Sequence, residues 1–423
     1  MSHVIRFRSL VLLVLALSAT RSPVVAAGRQ WIGTWATAPQ PAAPGPPQTY
    51  RNQTLRLIVH TSAGGPAVRI KVSNTYGDRP LVLGAAHIAR RVAEANIDPT
   101  SDRSLTFHGR GSTTIPARGM AVSDPVNLDV ASLSDLAVSL FFPETSDATT
   151  SHSLAQQTSY VSADTGDSTA AATFPVAKTI RSWPFLTGVD VQVTSRGAAI
   201  VAFGSSLTDG DGTTRDSNGR FPDVLAARLQ NHPGGREVGV LNEGIIGNRL
   251  LAGSPGDAQF GALLGEAGLA RFDRDVLGQA GVRYVIVGLG INDILFPGVF
   301  TPIADAVSAD AIIAGLRQLI ARAHRQGVRV IGTTNPPFEF ATFNGKDLGI
   351  YTPEREAVRV QVNAWMLTTH EFDAVVDLDQ VLRDPSRPTR LLPQYDSGDH
   401  LHPNNAGCVV EANAFPLALF ERR

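Results

Sequence analysis

Stretches that can hold and move protons cluster in the second half of the chain. Phe203-Gly204-Ser205-Ser206-Leu207-Thr208-Asp209-Gly210 follows a run of small apolar residues. A serine at a tight strand-to-helix turn can present its hydroxyl and aim a backbone N–H at a developing oxyanion. That hydroxyl is a poor nucleophile until a base takes its proton. Asp399-His400-Leu401-His402-Pro403-Asn404, near the C-terminus, offers a carboxylate and an imidazole three residues apart. Between them lie Asn242-Glu243-Gly244-Ile245-Ile246-Gly247-Asn248-Arg249 and Gly288-Leu289-Gly290-Ile291-Asn292-Asp293-Ile294, both rich in backbone and amide donors.

Rival chemistries fit these residues less well. His400 and His402 with Asp396 and Asp399 have metal-binding types, but no other histidine lies in a neighbouring motif, so no metal site is expected. Asp209-Gly210-Asp211-Gly212 lacks the later glutamate of a calcium loop and reads as a turn. Gly288-Leu289-Gly290 lacks the third glycine of a dinucleotide fingerprint. The G-x-S-x-G elbow of α/β-hydrolases is absent. Cys408, the only cysteine, sits in Ala406-Gly407-Cys408-Val409-Val410 and reads as a buried helix residue, so no internal disulfide forms.

Two different rhythms must position these groups. From Trp31 to about Thr194, short runs such as Leu55–Val59, Ala67–Val72, Leu81–Leu83 and Leu136–Phe142 alternate with turn clusters. Val68, Ile70 and Val72 interleave with Arg69, Lys71 and Ser73, the period of a strand buried on one face. This pattern predicts an antiparallel β-sandwich. After Thr194, apolar strands at Ala198–Phe203, Val238–Leu241, Tyr284–Val287, Val328–Ile331 and Ala374–Leu378 alternate with helical stretches at Pro222–Gln230, Ala258–Gly278, Ser308–Gln326 and Pro353–His370. Such alternation predicts a parallel sheet covered on both faces, whose ligands bind at the carboxyl ends of the strands. The polar stretches fall just after those strands.

Their order resembles the blocks of the SGNH or GDSL-type hydrolase family from about Ala198 to the C-terminus. The first half is similar to the β-sandwich that precedes the hydrolase domain in one secreted branch. Trp31-Ile32-Gly33-Thr34-Trp35-Ala36-Thr37-Ala38-Pro39 begins that similarity, and Ser73-Asn74-Thr75-Tyr76-Gly77, Gln157-Thr158-Ser159-Tyr160 and, in the second half, Arg271-Phe272-Asp273-Arg274-Asp275-Val276-Leu277 are further stretches similar to that branch. The resemblance implies a three-layer α/β/α, flavodoxin-like hydrolase domain with a parallel sheet, behind an antiparallel, jelly-roll-like sandwich. It implies Ser206 as nucleophile, His402 as general base and Asp399 as the residue that orients it. The oxyanion donors would be the N–H groups of Ser206 and Gly247 and the side-chain amide of Asn292. Three departures stand out. Ser205 replaces the family's usual aspartate before the nucleophile, Ile246 replaces a common serine, and Gly288 occupies a position often acidic in this branch. None removes an implied catalytic group.

The chain has 423 residues, enough for two domains, and a formal charge of −1 that offers no nucleic-acid footprint. Arg6 and Arg8, an apolar run Leu10–Ala19 and the small residues Val25-Ala26-Ala27 have the order of a secretory leader. That run is too short for stable membrane insertion, which takes ~20 residues. The expected organisation is a signal peptide at 1–27 cleaved near Ala27, a β-sandwich at 28–194 and a hydrolase domain at 195–423. The expected function is a secreted esterase acting on carbohydrate acetyl, aryl or short-chain acyl esters through an acyl-Ser206 intermediate, without a cofactor. The alternatives are a carbohydrate-binding surface protein with a degenerate hydrolase domain, or an acyltransferase using the same acyl-enzyme. The expected partner is an ester on a small molecule or a polysaccharide, and oligomeric state is not legible.

Overall fold

The computed structural model describes Met1 and residues 28–421 apart from 195, 234 and 236. The expected leader, Met1 aside, lies outside the described residues. Antiparallel pairing dominates the chain up to Thr194. Arg29–Ala36, Leu186–Thr194, Gly65–Ser73 and Met120–Val122 neighbour one another in a five-stranded sheet, with Val126–Val130 also on Gly65–Ser73. A seven-stranded sheet lies opposite, centred on Gln53–His60, Asp135–Phe142 and Ala85–Ala93. Alternate residues of each sheet meet in one core: Val68, Ile70 and Val72 from the first, Leu55, Leu57, Val138, Leu140 and Ile88 from the second. Trp183 closes it, edge-on to Trp35 at 5.0 Å, with its ring N–H donating to Ile58 O at 2.9 Å.

The outer face of the first sheet departs from the expected alternation. Lys71 is buried along with Ile70 and Val72, because the second half of the chain covers it. Its Nζ pairs with Asp190 at 3.1 Å and donates to Gln279 at 3.0 Å. Strand Arg29–Ala36 lies against that half: Gly33 N donates to Ala280 O at 2.9 Å, and a Cβ on Gly33 would stand 2.6 Å from the Leu241 side chain.

The second half is built on a five-stranded parallel sheet of β1 (Ala198–Gly204), β2 (Val238–Asn242), β3 (Val282–Gly288), β4 (Arg329–Thr333) and β5 (Ala374–Val376), in the order β2-β1-β3-β4-β5. Every residue of β1 is buried. Ala199, Val201 and Phe203 face one core with Leu316, Leu319 and Val362, whereas Ala198, Ile200 and Ala202 face another with Phe221, Leu225, Ala412 and Phe415. Helices therefore cover both faces. Residues 309–325 and 353–368 lie on one side, residues 221–230 and 405–414 on the other. Each fully buried leucine or phenylalanine contributes ~1.5–3 kcal/mol of transfer free energy.

Two elements differ from expectation. Of Ala258–Gly278 only Gly268–Leu277 is helical, because Gly256, Gly261 and Gly265 adopt positive φ and turn the preceding chain. Strand β5 stops at Val376 because Asp377 caps a short helix, Leu378–Leu382, accepting from Gln380 N.

Candidate active site

With this strand order, chain connections leave β1 and β3 in opposite directions and open a crevice at their carboxyl ends. The loop after β1 enters that crevice. Ser205 is extended, and the chain then curls into a single helical turn, α1 (Ser206–Asp209). Thr208 N and Asp209 N both donate to Ser205 O, at 3.0 and 2.8 Å. Gly204 has no alternative here, since a Cβ would stand 2.0 Å from Thr208 Oγ1.

The turn sets Ser206 Oγ 2.8 Å from Nε2 of His402. Ser206 is only 5% exposed, so the hydroxyl lies at the floor of the crevice rather than on the surface. On the far side of the ring, Nδ1 is 2.5 Å from Asp399 Oδ2. A carboxylate only accepts, so Nδ1 carries the proton and Nε2 is left to accept from the serine. Asp399 is itself held, its Oδ1 accepting from Leu401 N at 2.9 Å and His402 N at 2.8 Å. His400, at φ +63°, makes the turn between them. Its ring points away from the serine, onto Asp396 at 2.5 Å.

The charges around this chain have definite signs. Burial opposes ionisation of Asp399, but the His402 hydrogen bond and charge and two backbone N–H groups outweigh it and hold the carboxyl well below its usual range. Burial likewise disfavours a charged His402. The Asp399 hydrogen bond and the negative charges of Asp211, Asp399 and Asp396 exceed that penalty, so the ring holds its proton more tightly than a free histidine. Asp211, in the loop after α1, has Oδ2 3.9 Å from His402 Nδ1.

Donors surround the serine. The N–H of Ser206 begins α1 and has no partner within the helix. Gly247, at φ +69°, sits in the loop after β2. That loop is anchored by Ile245 N to Gly204 O at 3.2 Å and Ile246 N to Asp209 Oδ2 at 2.9 Å. Asn292 opens the helix Ile291–Leu295 after β3. One amide hydrogen of Asn292 is engaged by Asn248 O at 3.0 Å, which leaves the second for the cleft. Ser206, Gly247, Asn292, Asp399 and His402 all line one cleft of about 530 Å³. Its remaining walls are mostly apolar, and Phe260, Phe296, Phe300 and Phe343 form a cluster with ring centroids 5.0–6.5 Å apart.

Several supporting residues were not singled out by the sequence reading. Arg271 is fully buried and ties the loops together, donating to Gly204 O at 3.0 Å, Glu243 O at 2.9 Å and Asn248 Oδ1 at 3.0 Å. Asp275 balances its charge at 3.1 Å. Asp293 accepts from Leu250 N and Leu251 N at 2.7 and 2.9 Å, fixing the chain beyond Gly247. Burial pushes its carboxyl up to about 6 despite those N–H groups. Asp209 and Asp211, read as parts of a turn, instead face the Ile246–Gly247 loop and His402.

A family model for GDSL-like lipases and acylhydrolases matches residues 202–409. The chain carries a GDSL-like lipase/acylhydrolase domain. That domain makes it an ester hydrolase, with an antiparallel β-rich region ahead of the GDSL domain. Among solved structures, an alpha/beta hydrolase from the metagenome of Lake Arreo is 25% identical, over 52% of this chain and 94% of its own, with a TM-score of 0.37. The M. smegmatis aryl esterase is 17% identical over 52% and 96%, with a TM-score of 0.38. A GDSL-like lipase from Bacteroides thetaiotaomicron is 16% identical over 52% and 87%, with a TM-score of 0.36. No curated protein matches the chain. Where the family usually has aspartate, the GDSL domain has Ser205, whose hydroxyl is buried without a hydrogen-bond partner among the described residues. The turn is closed by the Ser205 carbonyl instead, which any residue supplies.

Proposed function

We propose that the protein hydrolyses carboxylic esters with an apolar acyl or aryl portion, through an acyl-Ser206 intermediate. The observation that carries this reading is the hydrogen-bonded chain Ser206–His402–Asp399 at the base of an apolar cleft. As Ser206 Oγ attacks the ester carbon, its proton passes to His402 Nε2, and Asp399 stabilises the imidazolium. The carbonyl oxygen becomes an oxyanion facing the N–H groups of Ser206 and Gly247 and the free amide hydrogen of Asn292. Collapse expels the alkoxide, which takes the proton back from Nε2. Water then attacks the acyl-serine by the same route, giving the acid and the free serine. The aromatic walls favour an apolar acyl or aryl group over an acetyl on a hydrated sugar, because burying apolar ligand surface adds ~25 cal/mol per Å².

Residues 1–27 are read here as a leader that exports the enzyme, with 28–194 and 195–423 as its two domains. Among the described residues no helix is long and apolar enough to cross a membrane. N-terminal sequencing of exported protein would test cleavage near Ala27. For the reaction, a fluorophosphonate probe should label Ser206, and p-nitrophenyl esters should be cleaved faster as the acyl chain grows from acetyl to butyryl or hexanoyl. An unlabelled Ser206 in folded protein would end the acyl-enzyme reading. A preference for acetylated polysaccharide would end the apolar one.

A further inference from the structure

Outside the Ser206–His402–Asp399 chain, a deeply buried polar contact near the site joins the two halves of the molecule. His152, at the end of strand Thr150–His152, meets Asp209 of the GDSL domain, Nε2 to Oδ1 at 2.9 Å. Both side chains are 1% exposed. The other ring nitrogen, Nδ1, is 2.9 Å from Ala38 O. Carbonyl and carboxylate oxygens only accept, so each of these contacts is made by a ring N–H facing it. The ring is fixed from its flank by Trp183, with centroids 5.8 Å apart.

Asp209 spends its second oxygen on the active site. Oδ2 accepts from Ile246 N at 2.9 Å, and Ile246 immediately precedes Gly247. Asp209 is also the last residue of the turn that begins at Ser206. One carboxylate therefore links the nucleophile's turn to the loop holding the Gly247 donor, and a residue from the β-sandwich holds that carboxylate in place. The neighbouring segment reinforces the grip: Gln156 Nε2 donates to Gly210 O at 3.2 Å, and Gln157 Nε2 and Thr158 N donate to Asp216 Oδ1 at 2.8 and 2.5 Å.

We propose that His152 is a positioning residue for ester hydrolysis, acting through Asp209 on the Ile246–Gly247 loop, so that the β-sandwich is part of the catalytic apparatus. The proposal rests on the reading of Ser206 as nucleophile and Gly247 as oxyanion donor. Without the ring, Asp209 Oδ1 would be a buried acceptor with no partner. The carboxylate would then rotate toward water, and that loosens its hold on Ile246 N–H.

Two amide substitutions in the full chain separate positioning from general packing. His152→Asn keeps a donor where Nδ1 meets Ala38 but cannot reach Asp209; His152→Gln keeps a donor where Nε2 meets it. With p-nitrophenyl butyrate, His152→Asn should lower kcat by ~10²-fold, the scale of a lost oxyanion donor, with KM within about twofold. His152→Gln should restore kcat to within about threefold of wild type. Affinity for a trifluoromethyl ketone, which Ser206 Oγ attacks to form a hemiketal oxyanion, should fall with kcat. A folded His152→Asn variant with unchanged kcat, or both variants altering KM alone, would overturn the proposal. If His152→Asn does not fold, Asp209→Ala decides. It removes the acceptor of Ile246 N–H, so kcat should fall ~10²-fold with KM nearly constant, and a folded variant with unchanged kcat would overturn the proposal. Fluorophosphonate labelling of the wild type separates the two readings. No label on Ser206 overturns the nucleophile and this proposal with it, whereas a labelled enzyme with an unaffected His152→Asn variant overturns this proposal alone.

Discussion

Replacing Asp399 by Asn changes one atom and should nearly silence the enzyme. The new side-chain oxygen can keep the bonds from Leu401 N and His402 N, now made to Oδ1 at 2.9 and 2.8 Å, so the turn and the melting temperature should change little. At the other position, 2.5 Å from His402 Nδ1, an amide N–H2 replaces the carboxylate. It can only donate, so it selects the tautomer protonated on Nε2, and that nitrogen then donates to Ser206 instead of accepting from it. To react, the ring must return to the Nδ1–H form and face donor to donor. Losing a hydrogen bond to a charged group costs ~1.5–3 kcal/mol, and leaving a buried donor unpaired costs ~1–3 kcal/mol more. At 1.36 kcal/mol per factor of ten, kcat/KM should fall by ~10²–10⁴. A third of the Asp399 side chain is exposed, so water can relieve part of the clash and the lower end of that range is the better guess. Initial rates with p-nitrophenyl butyrate, with circular dichroism to confirm folding, measure the effect. A folded variant keeping more than a tenth of wild-type kcat/KM would mean that Asp399 neither sets the tautomer nor stabilises the imidazolium.

Ser206→Ala should abolish turnover and fluorophosphonate labelling with little change in melting temperature. Ser205→Ala removes a hydroxyl that has no partner among the described residues, so rate should stay within about twofold and stability should hold or rise by up to ~1 kcal/mol; full loss there would move the nucleophile by one residue. Asn292→Ala should lower kcat ~10²–10³-fold with KM nearly constant, and an effect on KM alone would make it a substrate-binding group. In a pH series, kcat/KM should fall tenfold per unit below the pKa of His402, because only the neutral ring can take the serine's proton. That pKa is raised above the ordinary 6.5, so the acid limb should lie on the alkaline side of a free histidine. Asp211→Asn removes one of the charges holding the proton and should move the limb to lower pH, and an unmoved limb would show that Asp211 is too well screened to matter.

Much of the architecture could be read from period alone, and where it could not, the reason is physical. Strand β1 alternates between two cores, and its unbroken run of apolar residues, Ala198–Phe203, signals burial on both faces. The stretch 258–267 misleads because its apolar residues line the cleft as turns. Phe260, Leu263 and Leu264 have helical spacing, but Gly261 and Gly265 at positive φ break the helix between them. In strand Gly65–Ser73, the alternation of Val68, Ile70 and Val72 with Arg69, Lys71 and Ser73 correctly marks the sandwich core. It cannot show that a second half will cover the opposite face and bury Lys71 beside Asp190 and Gln279. A polar residue facing another part of the chain has the same pattern as one facing water.

The candidate site divides the same way. Ser206, Gly247, Asn292 and the Asp399–His402 pair each follow a strand or precede a helix, so local motifs carry them, and the parallel sheet brings them to one cleft. The partners of the residues that hold them cannot be read locally. Arg271 reaches Gly204 and Asn248 across 67 and 23 residues of sequence, and His152 reaches Asp209 across 57. Nothing near His152 distinguishes it from the half-buried histidines that the same sandwich pairs with acids, His60 with Asp135 and His87 with Asp102. Those pairs keep 16–26% side-chain exposure, where water screens the charges and a pair contributes ~0–1 kcal/mol. His152 and Asp209 are shut away from water, where breaking a pair costs ~3–5 kcal/mol. That difference in burial, visible only once the two halves are packed together, makes one acid–histidine contact in the sandwich a candidate for catalytic support and leaves the other two as surface chemistry.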